Sequence, residues 1–227
     1  MSTDNSRRDP PRTAAAALPR VPANERLVYV VDDDEAVRDS LRWLLEGNGF
    51  GVRTFASAEA FLQAYDPAPF ACLVLDVRMT GMSGIELHDE LLRRGHDLPL
   101  IFMTGHGDVP MAVARMKLGA IDFLEKPFDD QQLCRIVALA LDKAVERRSA
   151  VDQRERNQTL LGRLTPRERQ VLDLIAAGRL NKQIADDLSI SIKTVEAHRA
   201  NIMDKFEVRT MADLMRKFLN ARRPDAA

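Results

Sequence analysis

The 227-residue sequence predicts an α/β unit, a five-stranded doubly wound parallel sheet, followed by a smaller all-α unit of four helices. Three observations carry this. Five short runs rich in Val, Ile, Leu and Phe alternate with helical stretches, and such runs read as strands buried on both faces of a parallel sheet. From about residue 164 onward only helical spacing with caps occurs. Finally, three of the apolar runs end in charge: Val31 is followed by Asp32 and Asp33, Leu75 by Asp76, and Leu124 by Glu125 and Lys126.

The elements follow in order. Residues 27–31 form the first strand, and 35–47 a helix with Val37, Leu41, Leu44 and Leu45 on one face; Asp33 or Asp34 can cap it. Residues 51–55 are the second strand, and Ser57 caps a helix reaching about Tyr65. The third strand covers 70–75. A loop with Gly81 and Gly84 leads from it into a helix to about Arg94. Residues 99–103, 109–118, 120–124 and 129–145 supply the fourth strand, a helix, the fifth strand and the last helix of this unit. Five βα repeats give helices on both faces of the sheet.

Residues 146–163 are charged and poor in apolar side chains, and read as a linker or a continuation of the preceding helix. The all-α unit, residues 164–221, opens on Thr165, Pro166 and Glu168. These are a cap, a proline at the first helical position and a capping-box partner. Helices over 165–177, 181–188, 193–206 and 210–220 complete it, with a turn at 189–191. Ile184, Ala185, Leu188, Ile190, Val195 and Ile202 have the spacing of a small shared core.

The net charge of −1 hides an asymmetry: residues 151–227 carry about +4, and the rest about −5. A basic tail behind an acidic front suits a polyanion reader behind a cation or phosphate site. The two cysteines, Cys72 and Cys134, sit in apolar segments without metal-ligand spacing and read as reduced packing residues of a cytoplasmic protein. No apolar run is long enough to span a bilayer, so no membrane partner is expected. Residues 1–26, interrupted by Pro10, Pro11, Pro19 and Pro22, read as a disordered leader rather than a signal sequence. His88, His96 and His106 read as surface residues, and Trp43 as a packed or half-exposed residue of the first helix.

In an open parallel sheet, ligands bind beyond the carboxyl ends of the strands. Asp32, Asp33, Asp76 and Lys126 therefore converge on one rim. Clustered carboxylates repel one another unless a hard cation lies between them, and oxygen ligands of this kind suit Mg²⁺.

On these residues, 27–145 resembles the receiver domain of bacterial two-component response regulators. The resemblance implies that Asp76 accepts a phosphoryl group from a sensor histidine kinase. It also implies that Asp33, Asp76 and the Arg78 backbone carbonyl bind Mg²⁺, with Asp32 acting largely through water. Thr104 would bond the phosphoryl oxygen, Lys126 would neutralise charge, Phe123 would be the switch aromatic, and Lys126-Pro127 would be cis. A phosphohydrolase of the haloacid dehalogenase type would carry a second Asp two residues after the first; Arg78 stands there, and no enzyme is expected.

Residues 162–221 resemble the LuxR-type helix-turn-helix of the FixJ/NarL response regulators. The segments carrying this are Leu164-Thr165-Pro166-Arg167-Glu168, Asn181-Lys182-Gln183-Ile184-Ala185 and Lys193-Thr194-Val195-Glu196-Ala197-His198-Arg199. The resemblance implies a reader of double-stranded DNA. Lys182, Lys193, Thr194, Arg199 and Lys205 are the phosphate candidates, with Glu196, Ala197 and Ala200 at base-edge positions. It further implies a homodimer formed on phosphorylation through about 109–145, and RNA polymerase as a partner.

Overall fold

The computed structural model describes residues 25–105 and 119–222. The expected leader, the helix at 109–118 and His106 lie outside this range, apart from Glu25 and Arg26.

Five strands, β1 (Leu27–Val31), β2 (Gly51–Phe55), β3 (Ala71–Asp76), β4 (Leu100–Thr104) and β5 (Asp122–Glu125), form one parallel sheet in the order β2-β1-β3-β4-β5. Helices α1 (Glu35–Gly47), α2 (Ala58–Ala64) and α3 (Gly84–Arg93) alternate with the first strands. Asp34 caps α1 by accepting from the Ala36 N–H at 2.9 Å, and Ser57 caps α2. Ser83 and Glu86 close a reciprocal capping box on α3.

Period-2 alternation divides the sheet into two cores. Val28, Val30, Cys72, Val74, Ile101, Met103 and Leu124 face one, with Leu41 and Leu45 of α1. Tyr29, Val31, Leu73, Leu75, Leu100 and Phe102 face the other, with Phe61 of α2 and Leu87 and Leu91 of α3. His88 belongs to this second face. It is buried against Phe102, ring centroids 5.6 Å apart, rather than on the surface as expected, because α3 turns that position inward beside Leu87. Trp43 departs the other way: at 81% exposure it is neither packed nor half-buried.

Helix α4 runs without a break from Asp130 to Gly162. The segment 146–163 is thus a helical continuation, with only Arg163 outside it. Its first half covers the sheet through Leu133, Ile136, Val137, Ala140 and Leu141. Leu160 and Leu161 at its far end pack into the third core, that of the all-α unit. That unit comprises α5 (Pro166–Ala176), α6 (Asn181–Leu188), α7 (Ile192–Lys205) and α8 (Met211–Arg222). Its core holds Ile184, Ala185, Val195 and Ile202, with Leu188 and Ile190 at its edge. Val171, Leu172, Phe206, Leu214 and Phe218 add bulk that short-range spacing did not flag. α4 and α8 meet along a polar seam. The Asn157 side chain, 2% exposed, donates to Asn220 at 2.9 Å and accepts from Gln153 at 3.1 Å.

No helix among the described residues is long and apolar enough to cross a membrane.

Candidate functional site

Parallel register explains why acids and a lysine far apart in sequence meet. Val31 pairs with Leu75, Asp76 with Met103, and Thr104 with Glu125, so β1, β3, β4 and β5 end level. Asp32 and Asp76 share the alternation phase of Val30 and Val74, and Lys126 that of Leu124, which brings all three to the same side of the rim.

Lys126 Nζ donates to Asp32 Oδ2 at 2.8 Å and to Asp76 Oδ1 at 2.7 Å. Asp32 is 1% exposed and accepts on Oδ1 from the Asp34 N–H at 2.9 Å. Asp76 accepts from the Arg78 N–H at 3.1 Å, which closes a turn and sets Arg78 at the mouth of the pocket. Asp33 is exposed, with Oδ2 bonded to the Thr80 N–H at 2.8 Å and Oγ1 at 3.1 Å. Carboxylate oxygens of Asp32, Asp33 and Asp76 lie within 4.8 Å of one another. Three oxygens so close, none from a soft ligand, match the donor set of a hard divalent cation. The Lys126-Pro127 bond is cis.

Burial pushes the Asp76 carboxyl above its ordinary value, and the Lys126 donors offset only part of that. Such a carboxylate is a more basic oxygen than a solvated one, which favours attack on an electrophile. For Lys126, burial pulls the ammonium down, but its bonds to Asp32 and Asp76 outweigh that and hold it above the usual lysine range. Donation from the Thr80 backbone, against a small desolvation penalty, holds Asp33 below the usual carboxylate range.

Thr104 and Phe123 occupy the opposite alternation phase. Thr104 is fully buried, its hydroxyl 3.2 Å from the Gly105 carbonyl. Phe123 pairs with Phe102 across β4 and β5, so Thr104 lies diagonally from it on one face of the sheet. The two are thus diagonal neighbours on the face of the sheet opposite Asp32, Asp76 and Lys126.

The structure adds three residues that spacing did not flag. Arg38 donates to the Asp32 carbonyl at 2.8 Å, Thr80 holds Asp33, and Glu59 accepts from the Met82 N–H at 3.0 Å. Thr80 acts from 47 positions away and Glu59 from 23, where no local pattern reveals them, whereas Arg38 reaches back only six positions.

In the all-α unit, Ser189 takes a left-handed conformation (φ 53°), turning the chain from α6 into α7, whose cap is Ser191. Lys182, Lys193, Thr194, Glu196, Ala197 and Ala200 are exposed. Thr194 is also engaged by its own cap, its hydroxyl 2.8 Å from Ser191 Oγ. Arg199 is half-buried and donates to Asn181 at 2.7 Å, tying α7 to α6. Lys205 is engaged within the unit: its ammonium lies 2.6 Å from buried Glu168 and donates to the Arg163 carbonyl at 3.3 Å. It sits at the C-terminal end of α7 and braces the unit through these bonds. His198 is partly buried.

A parallel five-stranded sheet with an acid-and-lysine rim, joined to a helix-turn-helix, defines a signal receiver coupled to a DNA reader. Comparison with known proteins agrees: residues 28–138 match the response regulator receiver domain and 162–218 the bacterial regulatory proteins of the luxR family. The chain is 49% identical over 194 residues to the transcriptional regulatory protein FixJ of Azorhizobium caulinodans, covering 86% of this chain and 92% of that one. It is 44% identical over 192 residues to the transcriptional regulatory protein TdiR of Thauera aromatica, covering 85% of each. Among solved structures, response regulator StyR superposes with a TM-score of 0.73 at 47% identity, covering 86% of this chain and 98% of that one. Full-length FixJ from B. japonicum gives 0.55 at 43%, covering 87% and 98%. The chain belongs to the response regulators, as a FixJ-like member with a receiver and a LuxR-type DNA-binding unit, and is a transcriptional regulator rather than an enzyme.

Proposed function

We propose that a sensor histidine kinase phosphorylates Asp76 and that the modification drives this cytoplasmic protein to pair and to bind double-stranded DNA. The observation that carries this is Lys126, whose ammonium bridges Asp32 and Asp76 beside Asp33 on a chain that ends in a helix-turn-helix. Asp33, Asp76 and the Arg78 carbonyl would hold Mg²⁺, with Asp32 behind them through water. The ion would supply charge neutralisation at the oxygens of the incoming phosphoryl group.

The chain's own residues do the rest. An Asp76 oxygen attacks phosphorus in line; the O–P bond forms as the P–N bond to the kinase imidazole breaks, and the electron pair stays with that nitrogen. Lys126 stabilises the charge that builds on the phosphoryl oxygens. The Thr104 hydroxyl turns from Gly105 toward the new phosphoryl oxygen, and Phe123, its diagonal neighbour, moves into the space released. A local charge change thereby biases a packed, two-state face.

That face includes β5 and the first half of α4, where Leu139 stands 56% exposed on the outer surface. Pairing there would present two copies of α7 to two half-sites, since one such module makes few contacts. Lys182 and Lys193 serve phosphates, with Arg199 and Thr194 beside them. Glu196, Ala197 and Ala200 face base edges, where Glu196 can accept from a cytosine amino group. RNA polymerase is the further partner of a regulator so bound. Electrophoretic mobility shift with and without acetyl phosphate and Mg²⁺ tests the reading: phosphorylation tightens DNA binding in wild type and leaves Asp76→Asn unchanged. Equal response by both proteins would refute it.

A further inference from the structure

We infer that Thr80 is a positioning residue for the cation site, clamping Asp33 in the orientation a divalent ion needs; this rests on the reading of the acidic rim as a Mg²⁺ site. Asp33 is an exposed carboxylate in the loop after β1, with oxygens of Asp32 and Asp76 within 4.8 Å. An exposed carboxylate without a partner samples rotamers that face solvent. Asp33 stays at the rim because both donors of Thr80, the N–H at 2.8 Å and the hydroxyl at 3.1 Å, hold its Oδ2.

The direction of control follows from how the Thr80 loop is itself held. The Gly84 N–H donates to the Val77 carbonyl at 3.2 Å. The Met82 N–H is fixed by Glu59 from α2, and Ser83 is locked into its capping box with Glu86. With three anchors independent of Asp33, the loop places the carboxylate. Hydrogen bonds to a ligating carboxylate orient it before the ion arrives, and losing such support commonly weakens affinity 10- to 100-fold.

Calorimetric titration of the full-length chain with MgCl₂ alone tests this. Thr80→Ser keeps both donors and binds as wild type. Thr80→Val keeps the N–H and shape, loses the hydroxyl, and weakens binding about five-fold. Thr80→Pro loses both donors and weakens it about ten-fold or more. Thermal melting without metal accompanies each titration, and the Val variant melts with wild type. Wild-type affinity in Thr80→Val overturns the inference, as does a fall in melting temperature that parallels the fall in affinity, which would make Thr80 a fold residue. Absence of saturable Mg²⁺ binding by wild type would instead sink the metal reading of the rim, and this inference with it.

Discussion

Gly84 approaches the backbone of Asp76 so closely that a Cβ on it would stand 2.0 Å from the Asp76 carbonyl oxygen. The first turn of α3 therefore packs directly against the strand end that carries the Asp76 carboxylate, and the loop between them has no slack. Backbone is on the receiving side of that contact, so no rotamer change relieves it.

Gly84→Ala accordingly forces the loop or the strand end to shift. We expect a loss of about 3 kcal/mol in the receiver unit, at the upper end for overpacking a tight site, together with weakened Mg²⁺ binding. Chemical denaturation followed by circular dichroism checks the first. Wild-type stability in the variant would mean the loop is looser than its geometry indicates.

The α4–α8 seam makes a second prediction. Asn157→Ala removes a buried side chain, leaving Asn220 without its donor and a gap in the seam, at a cost of about 2 kcal/mol to the all-α unit. A fragment starting at residue 164 lacks Asn157, Leu160 and Leu161, and should unfold at lower denaturant than one starting at 150. Coincident unfolding curves for the two fragments would show that the helical extension is not part of that unit.

Glu168 gives a pH-dependent prediction. Burial pushes its carboxyl up, but donation from Lys205 and from Thr165 outweighs this and leaves it below the ordinary 4.5. A lowered folded-state value means that its contribution is fully present above the ordinary value and is lost as pH falls through the folded one. Glu168→Gln should thus cost about 2 kcal/mol at neutral pH. The difference from wild type should shrink below about pH 4, a window set by the downward shift from the ordinary carboxylate value. A constant difference across pH would mean the ion pair contributes nothing.

Salt dependence separates the cations of α7. Lys193→Ala removes an exposed ammonium near the helix start and should flatten the log Kd against log salt slope by about 0.9 on every DNA sequence. Lys205→Ala should leave that slope alone and lower the melting temperature instead, because its ammonium is bound to Glu168. The reverse pattern would place Lys205 among the phosphate contacts.

What the sequence made legible was what short-range chemistry controls. Strand runs, the caps at Asp34, Ser57 and Thr165, and the charged strand ends all depend on residues within a few positions of each other. A parallel sheet then brings Asp32, Asp76 and Lys126 together without further information, since level strand ends follow from register. The pairing of Thr80 with Asp33 and of Lys205 with Glu168 was not legible, because each joins polar residues dozens of positions apart and neither breaks a local rule. His88 was misplaced for a related reason: a lone histidine on an amphipathic helix carries no sign of which face it takes, and here it meets Phe102. Continuation of α4 to Gly162 was open for the opposite reason, since a charged helix face and a charged linker have the same composition.

The most direct test of the account is where phosphate lands. Full-length protein treated with acetyl phosphate and Mg²⁺, then mapped by mass spectrometry under conditions that preserve acyl phosphates, should carry one phosphoryl group on Asp76. It should carry none in Asp76→Asn or when the metal is chelated. Equal labelling of the Asp76→Asn protein, or labelling at a residue outside the rim formed by Asp32, Asp33, Asp76 and Lys126, would contradict it.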